Sequence, residues 1–312
     1  MATKIALSIE EIARHSVAPY TVYNKNGDVI CYKGVVLTPK LVSLLSMHEL
    51  YRNAYQVTEN DNSDDINNEC IISRISSKTT SYLIDITKQF LNAAESGDSP
   101  NRDTFFQARD RILEEVKQHI DSIQHIGELR VYDDDYNLSH GINVSTLSTA
   151  LAIKLNYQDQ ELQEITLGGL LHDIGKAKLP KQIINKPGRL TEKEFEIVKL
   201  HAPLGYKIIK QEYQLSDNVA LSARDHQERY DGSGYVRGLA ADQIFKHAQI
   251  ITVADSYDAA ASDKSYACAK KPRDIIKELL QNSKKFHPRV LYTLVHLVNY
   301  NTGTLKENIT SV

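Results

Sequence analysis

The sequence predicts a mainly α-helical protein, in which a small α+β module precedes an all-helical domain. From about residue 72 the apolar residues recur at helical spacing, and after residue 128 the chain is helical outside two loops, 175–190 and 231–242. Residues 18–57 differ, because short runs of β-branched and aromatic residues alternate with turn signals there. A length of 312 residues fits about two domains at ~150 residues each.

The N-terminal module is expected to contain a hairpin followed by a short helix. Two β-rich runs flank Asn26-Gly27-Asp28, a typical hairpin turn signal. A helix is then predicted to open at Thr38-Pro39 and to be followed by a strand. The polar, acidic stretch 58–69 has the composition of a loop or linker. We therefore assign residues 1–70 to this module and its linker.

Residues 71–127 are predicted to form long amphipathic helices. An apolar stripe at i, i+4 spacing is formed by Phe105, Ala108, Ile112, Val116 and Ile120. Two interpretations remain open: connecting helices that pair with a second subunit in a homodimer, or one side of the catalytic domain. The remaining residues, 128–312, are assigned to that helical domain.

Composition excludes several classes of protein. The net charge of −3 argues against non-specific nucleic-acid binding, although a local basic pocket for a small anion is compatible with it. Cys31, Cys70 and Cys268 are scattered, which fits reduced thiols and neither a disulfide framework nor a zinc site. No run approaches the ~20 apolar residues of a membrane span, and the acidic N-terminus does not resemble a signal peptide. We therefore expect a cytoplasmic protein without a membrane span.

Histidines and aspartates form the most informative pattern. Four histidines fall on apolar helical faces: His140, His172, His201 and His226. A single histidine in such a place is usually an ordinary core residue. Two inward carboxylates, Asp173 and Asp255, change this interpretation, because burying them without compensation would cost several kcal/mol each. A pair of metal ions bridged by Asp173 would satisfy all six groups, and the mixed imidazole and carboxylate donors suit iron, manganese, nickel or zinc.

Five segments carry a resemblance to a known family. They are "YNLSHGINV" (136–144), "LLHDIGK" (170–176), "HAPLGY" (201–206), "HQERYDGSGY" (226–235) and "ITVADSYDA" (251–259). In this order and spacing the chain resembles an HD-GYP domain, the branch of the HD phosphohydrolase superfamily associated with hydrolysis of cyclic di-GMP. The resemblance implies an all-helical HD-superfamily fold over about 128–300 and a metal-dependent phosphodiesterase.

The resemblance also implies two metal positions. The first would be held by His140, His172, Asp173 and Asp255, and the second by Asp173, His201 and His226. Gln227 stands where the family has a further histidine, and its amide would be a weak ligand. Tyr136 stands where members with a third metal carry a glutamate, so we expect two divalent transition metals at most, iron or manganese before nickel or zinc.

Substrate contacts are expected from residues around these motifs. Lys176, with Asp173, is predicted to be catalytic, its ammonium reaching a phosphate oxygen; the alternative is a surface lysine after a helix end marked by Gly175. Tyr235 could stack on a guanine, and backbone amides near Gly234 could face the ligand.

The resemblance adds further expectations about this region. Lys264 stands at the first of two phosphate-gripping positions and Ala267 at the second, while Val236 replaces the proline of the GYP signature. We expect Glu228, Arg229 and Asp231 to form a supporting ion-pair network. Asp258 is expected to hold a ligating histidine in its tautomer.

Three functions are compatible with this pattern. The first is hydrolysis of a cyclic dinucleotide, foremost cyclic di-GMP, to the linear dinucleotide or GMP. The second is a catalytically weakened module that acts as a cyclic di-GMP sensor or protein-interaction domain, which Gln227, Val236 and Ala267 favour. The third is a phosphohydrolase acting on another nucleotide. Protein partners in cyclic di-GMP signalling would fit either of the first two.

Overall fold

The computed structural model describes residues 3–15, 22–23, 29–31, 37, 42, 45, 50–54, 75–120, 136–186, 188–261 and 272–299. The chain divides into two compact units, Met1–Ser73 and Arg74–Val312. Among the described residues, no helix combines the length and the apolar character that crossing a bilayer requires.

The N-terminal unit contains an antiparallel sheet and a helix. Its elements are β1 (Thr3–Leu7), α1 (Ile9–Ala13), β2 (Val22–Tyr23), β3 (Val29–Cys31) and β4 (Leu50–Ala54). The strand order is β1-β4-β2-β3, so the predicted α+β module and the pairing of β2 with β3 are confirmed. Of the helix predicted after Thr38-Pro39, the structure describes only positions 42 and 45, both helical, and the acidic stretch 58–69 lies outside the described residues.

In the second unit the described residues form helices and connecting loops, and none of them forms a strand. Its helices are α2 (Ser77–Ser96), α3 (Arg102–His119), α4 (Tyr136–Lys154), α5 (Asp159–Leu171), α6 (Lys181–Ile184), α7 (Glu192–Lys199), α8 (His201–Lys207), α9 (Asp217–Asp225), α10 (Lys246–Ala261), α11 (Pro272–Gln281) and α12 (Pro288–Asn299). Short 3-10 turns occupy Ile174–Lys178, Ala241–Gln243 and Ser283–Lys285, and a π-helical turn follows α8 at Ile208–Glu212.

Helices α2 and α3 pack into the core of this unit. Their buried residues include Leu83, Phe90 and Phe105, in one cluster with Leu170 of α5. The rings of Phe90 and Phe105 stack with centroids 4.3 Å apart, and the Tyr213 hydroxyl donates a hydrogen bond of 2.6 Å to the Phe90 carbonyl. The predicted apolar stripe of α3 therefore packs within the helical unit. Pairing of these helices with a second subunit stays a prediction.

Helices α4 and α5 approach each other closely, and this contact sets the position of two site histidines. A Cβ on Gly169 would lie 2.7 Å from the Cα of Ser145, so only glycine permits this separation. Beside it the Thr149 and Thr166 hydroxyls are 2.8 Å apart, which satisfies two buried polar groups. Because His140 lies on α4 and His172 directly follows α5, close packing of the two helices brings these imidazoles together.

Candidate metal centre

The structure brings all six predicted metal ligands together. His140 comes from α4, His172 and Asp173 follow α5, His201 opens α8, His226 follows α9 and Asp255 lies on α10. Two groups, His140–His172–Asp255 and His172–Asp173–His226, have donor atoms that all lie within 4.8 Å of one another and could hold a metal ion. The chain therefore carries histidine and aspartate clusters suited to metal binding.

Asp173 lies between two sets of histidines. Its Oδ2 is 3.3 Å from His172 Nε2 and 3.7 Å from His140 Nε2. Its Oδ1 is 3.4 Å from His201 Nε2 and 3.6 Å from His226 Nε2, and these two nitrogens are 3.2 Å apart. A carboxylate whose two oxygens face different imidazole pairs has the arrangement of a bridging ligand.

Asp255 completes the first set. Its Oδ1 lies 3.2 Å from His140 Nε2 and 3.9 Å from His172 Nε2. The side chain is 12 % exposed and comes from the buried helix α10. Two imidazoles and two carboxylates thus surround one position, and two imidazoles share Asp173 at the other.

Hydrogen bonds at Nδ1 orient each of the four histidines of the centre so that Nε2 points toward it. Three donate Nδ1–H to the carbonyl three residues earlier: His172 to Gly169 (2.8 Å), His201 to Val198 (2.6 Å) and His226 to Ala223 (2.8 Å). The carbonyls at helix ends lack intrahelical donors, so the rings of His172, His201 and His226 cap the ends of α5, α7 and α9. His140 instead places Nδ1 2.8 Å from Oδ2 of the buried Asp258. These contacts leave Nε2 of each ring as the metal-binding nitrogen.

Two buried polar atoms at the centre fit a bound cation. Neither His172 Nε2 nor Asp173 Oδ1 has a hydrogen-bond partner among the described residues. Buried polar atoms are normally satisfied, and leaving one unsatisfied costs about 1–3 kcal/mol. A metal ion would satisfy both, and the mixed nitrogen and oxygen donors suit first-row transition metals.

Protonation at the centre follows from burial and charge. Burial lowers the pKa of His201 to about 4 and lowers that of His226, so both rings are neutral at pH 7. Burial also opposes charge on His140, but its hydrogen bonds to Asp255 and Asp258 outweigh this and raise its pKa to about 9. Burial would raise the pKa of Asp173, yet Lys176 and His172 hold it well below the usual value. Metal binding at His140 would therefore release a proton.

Lys176 lies against Asp173 and is not a solvated surface lysine. Its Nζ is 2.5 Å from Asp173 Oδ2, and the side chain is 28 % exposed. Burial favours the neutral amine, but Asp173 outweighs it and raises the pKa of Lys176, so the ammonium is retained at the centre.

Gly175 does not mark a helix end, since α5 ends at Leu171 and Gly175 lies inside a 3-10 turn. It is required by close packing instead, because a Cβ there would lie 2.0 Å from the His201 carbonyl oxygen. The alternative role for Gly175, as the C-cap of the helix, is therefore wrong.

Of the predicted weak ligand and substrate residues, Gln227, Gly234 and Tyr235 line a cleft at the rim of the centre. Gln227 Nε2 is 3.5 Å from Asp255 Oδ2, and the Tyr235 ring centroid is 6.4 Å from that of His201. Gly234 lies against the backbone, where a Cβ would be 2.3 Å from Arg229 N, so its identity has a packing reason. Lys264 and Ala267 lie outside the described residues, as does the side chain of Tyr136.

The ion-pair network predicted for Glu228, Arg229 and Asp231 is wrong. The buried Glu228 carboxylate accepts backbone hydrogen bonds from Arg237 N (2.7 Å) and Leu239 N (2.9 Å). The Arg229 guanidinium donates to the His226 and Glu228 carbonyls, and Asp231 accepts from Ser233. A carboxylate inside a loop is better satisfied by amides that the loop leaves unpaired than by a flexible cation. Glu228 therefore fixes the path of the loop.

Three further residues at the rim belong to none of the predicted motifs. Phe195 and Lys199 on α7 and Lys285 in the 3-10 turn Ser283–Lys285 line a cleft beside Tyr235. Exposure of the Phe195 ring is visible only in the structure, and single exposed aromatic residues are common in proteins, so no sequence signal marks it as functional.

Comparison with known proteins identifies the family. The family model described as HD domain matches residues 84–290. The chain belongs to the HD domain family. Identification with the HD-GYP branch, predicted from the five segments, is confirmed by the same match together with the relatives.

Three curated relatives indicate the range of this family. Cyclic di-GMP phosphodiesterase PA4108 of Pseudomonas aeruginosa is 36% identical over 197 residues, 63% of this chain and 47% of the relative. A cyclic di-GMP phosphodiesterase of Thermotoga maritima is 32% identical over 222 residues, 70% of this chain and 56% of the relative. 3'3'-cGAMP-specific phosphodiesterase 3 of Vibrio cholerae is 35% identical over 136 residues, 43% of this chain and 29% of the relative. The chain spans about half the length of the first two.

A solved structure shares the fold. Bd1817, a HDG"Y"P protein from Bdellovibrio bacteriovorus, matches with a TM-score of 0.59 at 19% identity, covering 94% of this chain and 98% of that chain. The predicted fold class, a helical HD-superfamily domain after a small α+β module, is confirmed by this match and by the elements described above.

Proposed function

We propose that this HD-GYP protein is a metal-dependent phosphodiesterase that hydrolyses a cyclic dinucleotide. The observation that carries the proposal is Asp173, whose two carboxylate oxygens face different histidine pairs at 3.3–3.7 Å and 3.4–3.6 Å. Cyclic di-GMP and 3'3'-cGAMP are the substrates named for the relatives, so a cyclic dinucleotide is the substrate class and cyclic di-GMP the first candidate.

The proposed centre has two metal positions. His140, His172, Asp173 and Asp255 would hold one ion, and Asp173, His201 and His226 the other, with Gln227 a weak contributor. Iron or manganese are the first candidates, before nickel or zinc. When bound, such a pair activates water as a nucleophile near neutral pH and polarises the phosphoryl oxygen.

The remaining chemistry belongs to side chains of this chain. Lys176 carries a retained positive charge beside Asp173, where it would stabilise negative charge that develops on a phosphate oxygen. Asp258 holds the proton of His140 on Nδ1, and backbone carbonyls do so for the other three rings. Tyr235, the backbone near Gly234, and Lys264 are proposed to contact the substrate.

A second candidate is a sensor that binds the nucleotide without turning it over. Gln227 favours it, because its Nε2 approaches Asp255 Oδ2 at 3.5 Å as a donor, whereas a metal ligand would present its oxygen. An amide turned toward a carboxylate leaves the second position with fewer donors. A cytoplasmic location, protein partners in cyclic di-GMP signalling and a homodimer also remain predictions.

The test uses protein purified without oxygen. Bound metal should approach two equivalents per chain, and incubation with cyclic di-GMP and ferrous iron or manganese should give linear dinucleotide or GMP by chromatography. Asp173→Asn should lose nearly all activity, whereas Asp110→Asn, an exposed carboxylate paired with Arg109, should retain it. Metal near zero would refute the metal centre; tight nucleotide binding without product would establish the sensor.

A further inference from the structure

A cleft opens directly beside the metal centre. It has a volume of about 280 Å³ and lies between α7, the loop after α9 and the 3-10 turn Ser283–Lys285. Gln227 lines it and also approaches Asp255, so one side chain separates the cleft from the predicted metal ligands. The volume is slightly below the range of about 300–1,000 Å³ for sites that enclose drug-sized ligands. A cleft of this size accommodates one nucleotide.

Two aromatic rings form one wall of this cleft. The centroids of Phe195 and Tyr235 are 5.8 Å apart with ring planes at 82°. Phe195 is 41 % exposed although it is a large apolar residue, so its ring is available to a ligand. The capping box of Thr191 and Glu194 fixes the start of α7 and hence the position of Phe195 one residue later. An exposed ring next to a charged centre is the platform on which a nucleobase stacks.

Three cations line the cleft: Lys199, Arg229 and Lys285. Lys199 Nζ lies 5.0 Å from the Phe195 centroid and 5.8 Å from that of Tyr235, and it is paired with Glu196 at 2.6 Å. Arg229 and Lys285 also line the cleft, and neither forms an ion pair with a carboxylate among the described residues. Arg229 is held in place by two backbone carbonyls, at 3.2 and 3.1 Å from NH1. In a chain with a net charge of −3, this excess of positive charge is local and suits a phosphate.

We propose that the cleft binds one nucleotide of the cyclic dinucleotide, with its base against Phe195 and Tyr235 and its phosphate beside Arg229 and Lys285. The other phosphodiester then lies at the metal centre. This inference rests on the proposed function for the identity of the ligand. Because stacking recognises the face of a base and not its edge, the cleft provides affinity with little selection between guanine and adenine.

The first test removes the ring. In the metal-loaded full chain, Phe195→Ala should raise the Kd for cyclic di-GMP about tenfold, the scale of one lost base–aromatic stack. The fall in kcat/KM on cyclic di-GMP should exceed the fall on bis(4-nitrophenyl) phosphate, a diester without a nucleobase, by a similar factor. Phe195→Trp should restore binding. Tyr292→Ala removes an exposed ring on α12, 50 % exposed against 41 % for Phe195, and serves as the control.

The second test removes one charge. Lys285→Gln should weaken cyclic di-GMP binding several-fold and make the affinity less dependent on salt. Lys284→Gln changes the neighbouring exposed lysine, which does not line the cleft, and should bind as the unchanged chain does. Equal effects of the two lysine changes, or an unchanged Kd in Phe195→Ala, would overturn the proposal.

Binding and turnover separate this inference from the proposed function. If the unchanged chain binds cyclic di-GMP without hydrolysing it, the phosphodiesterase proposal fails while the Kd comparisons still decide the role of the cleft. If the metal-loaded chain binds neither cyclic di-GMP nor 3'3'-cGAMP, the cleft is not a nucleotide subsite.

Discussion

Replacing Asp258 with asparagine tests how the first metal position is built. The Asp258 carboxylate lies 2.8 Å from His140 Nδ1, and both side chains are buried, 1 % and 4 % exposed. Hydrogen bonds to charged groups contribute about 1.5–3 kcal/mol, and each 1.4 kcal/mol corresponds to about tenfold in affinity. Asparagine keeps the shape and a neutral acceptor, so we expect Asp258→Asn to weaken metal binding by about tenfold, near the lower end of that range.

The assay is a competition between the protein and a chelator of known affinity, with bound manganese measured after equilibrium dialysis. Asp274→Asn changes an exposed carboxylate in the first turn of α11 and is the matched control. Thermal unfolding of the metal-free variants checks that the fold is retained. A metal affinity in Asp258→Asn equal to that of the control would refute the idea that this hydrogen bond positions His140 as a ligand.

Three further changes test other features of the site. Gln227→His should raise the metal affinity of the second position and increase turnover, with affinity measured by the same chelator competition; an unchanged affinity would mean that this position is not the weak ligand. Gly175→Ala should lower stability by about 1–3 kcal/mol or more in denaturant titrations, because its Cβ would collide with the His201 carbonyl. His247, whose pKa burial lowers to about 4, favours the neutral form in the folded state. Stability should therefore fall as the pH drops from 6.5 toward 4, by up to about 3 kcal/mol, and His247→Phe should flatten this dependence of the melting temperature.

The sequence was sufficient to predict the helices and the gathering of the six histidine and aspartate residues. Helical periodicity determines which residues share a face, so His140 and Asp255 could be assigned to the interior before any contact was known. Order along the chain and spacing then indicated the family. The division of Asp173 between two histidine pairs is a distance relationship, and its bridging role remains a prediction that only metal binding can test.

Contacts made by loop residues could not be predicted from helical periodicity. Gly175 appeared to end a helix, yet its requirement comes from the backbone of α8, which is distant in sequence. Glu228 was expected to pair with a cation, but its partners are amides nine and eleven residues later. Phe195 and Lys285 line the same cleft although they lie far apart in the sequence. Periodicity carries no information about such contacts.

Glu228 has a consequence for how this protein can change over evolutionary time. Its carboxylate grips the loop through main-chain amides at Arg237 and Leu239, and amides are supplied by almost every residue type. The trajectory of the loop thus depends little on the side chains displayed along it, which helps to explain how Val236 can stand where a rigid proline would otherwise be expected. Substitutions along this loop can therefore change the side chains at the mouth of the site without changing the path of its backbone.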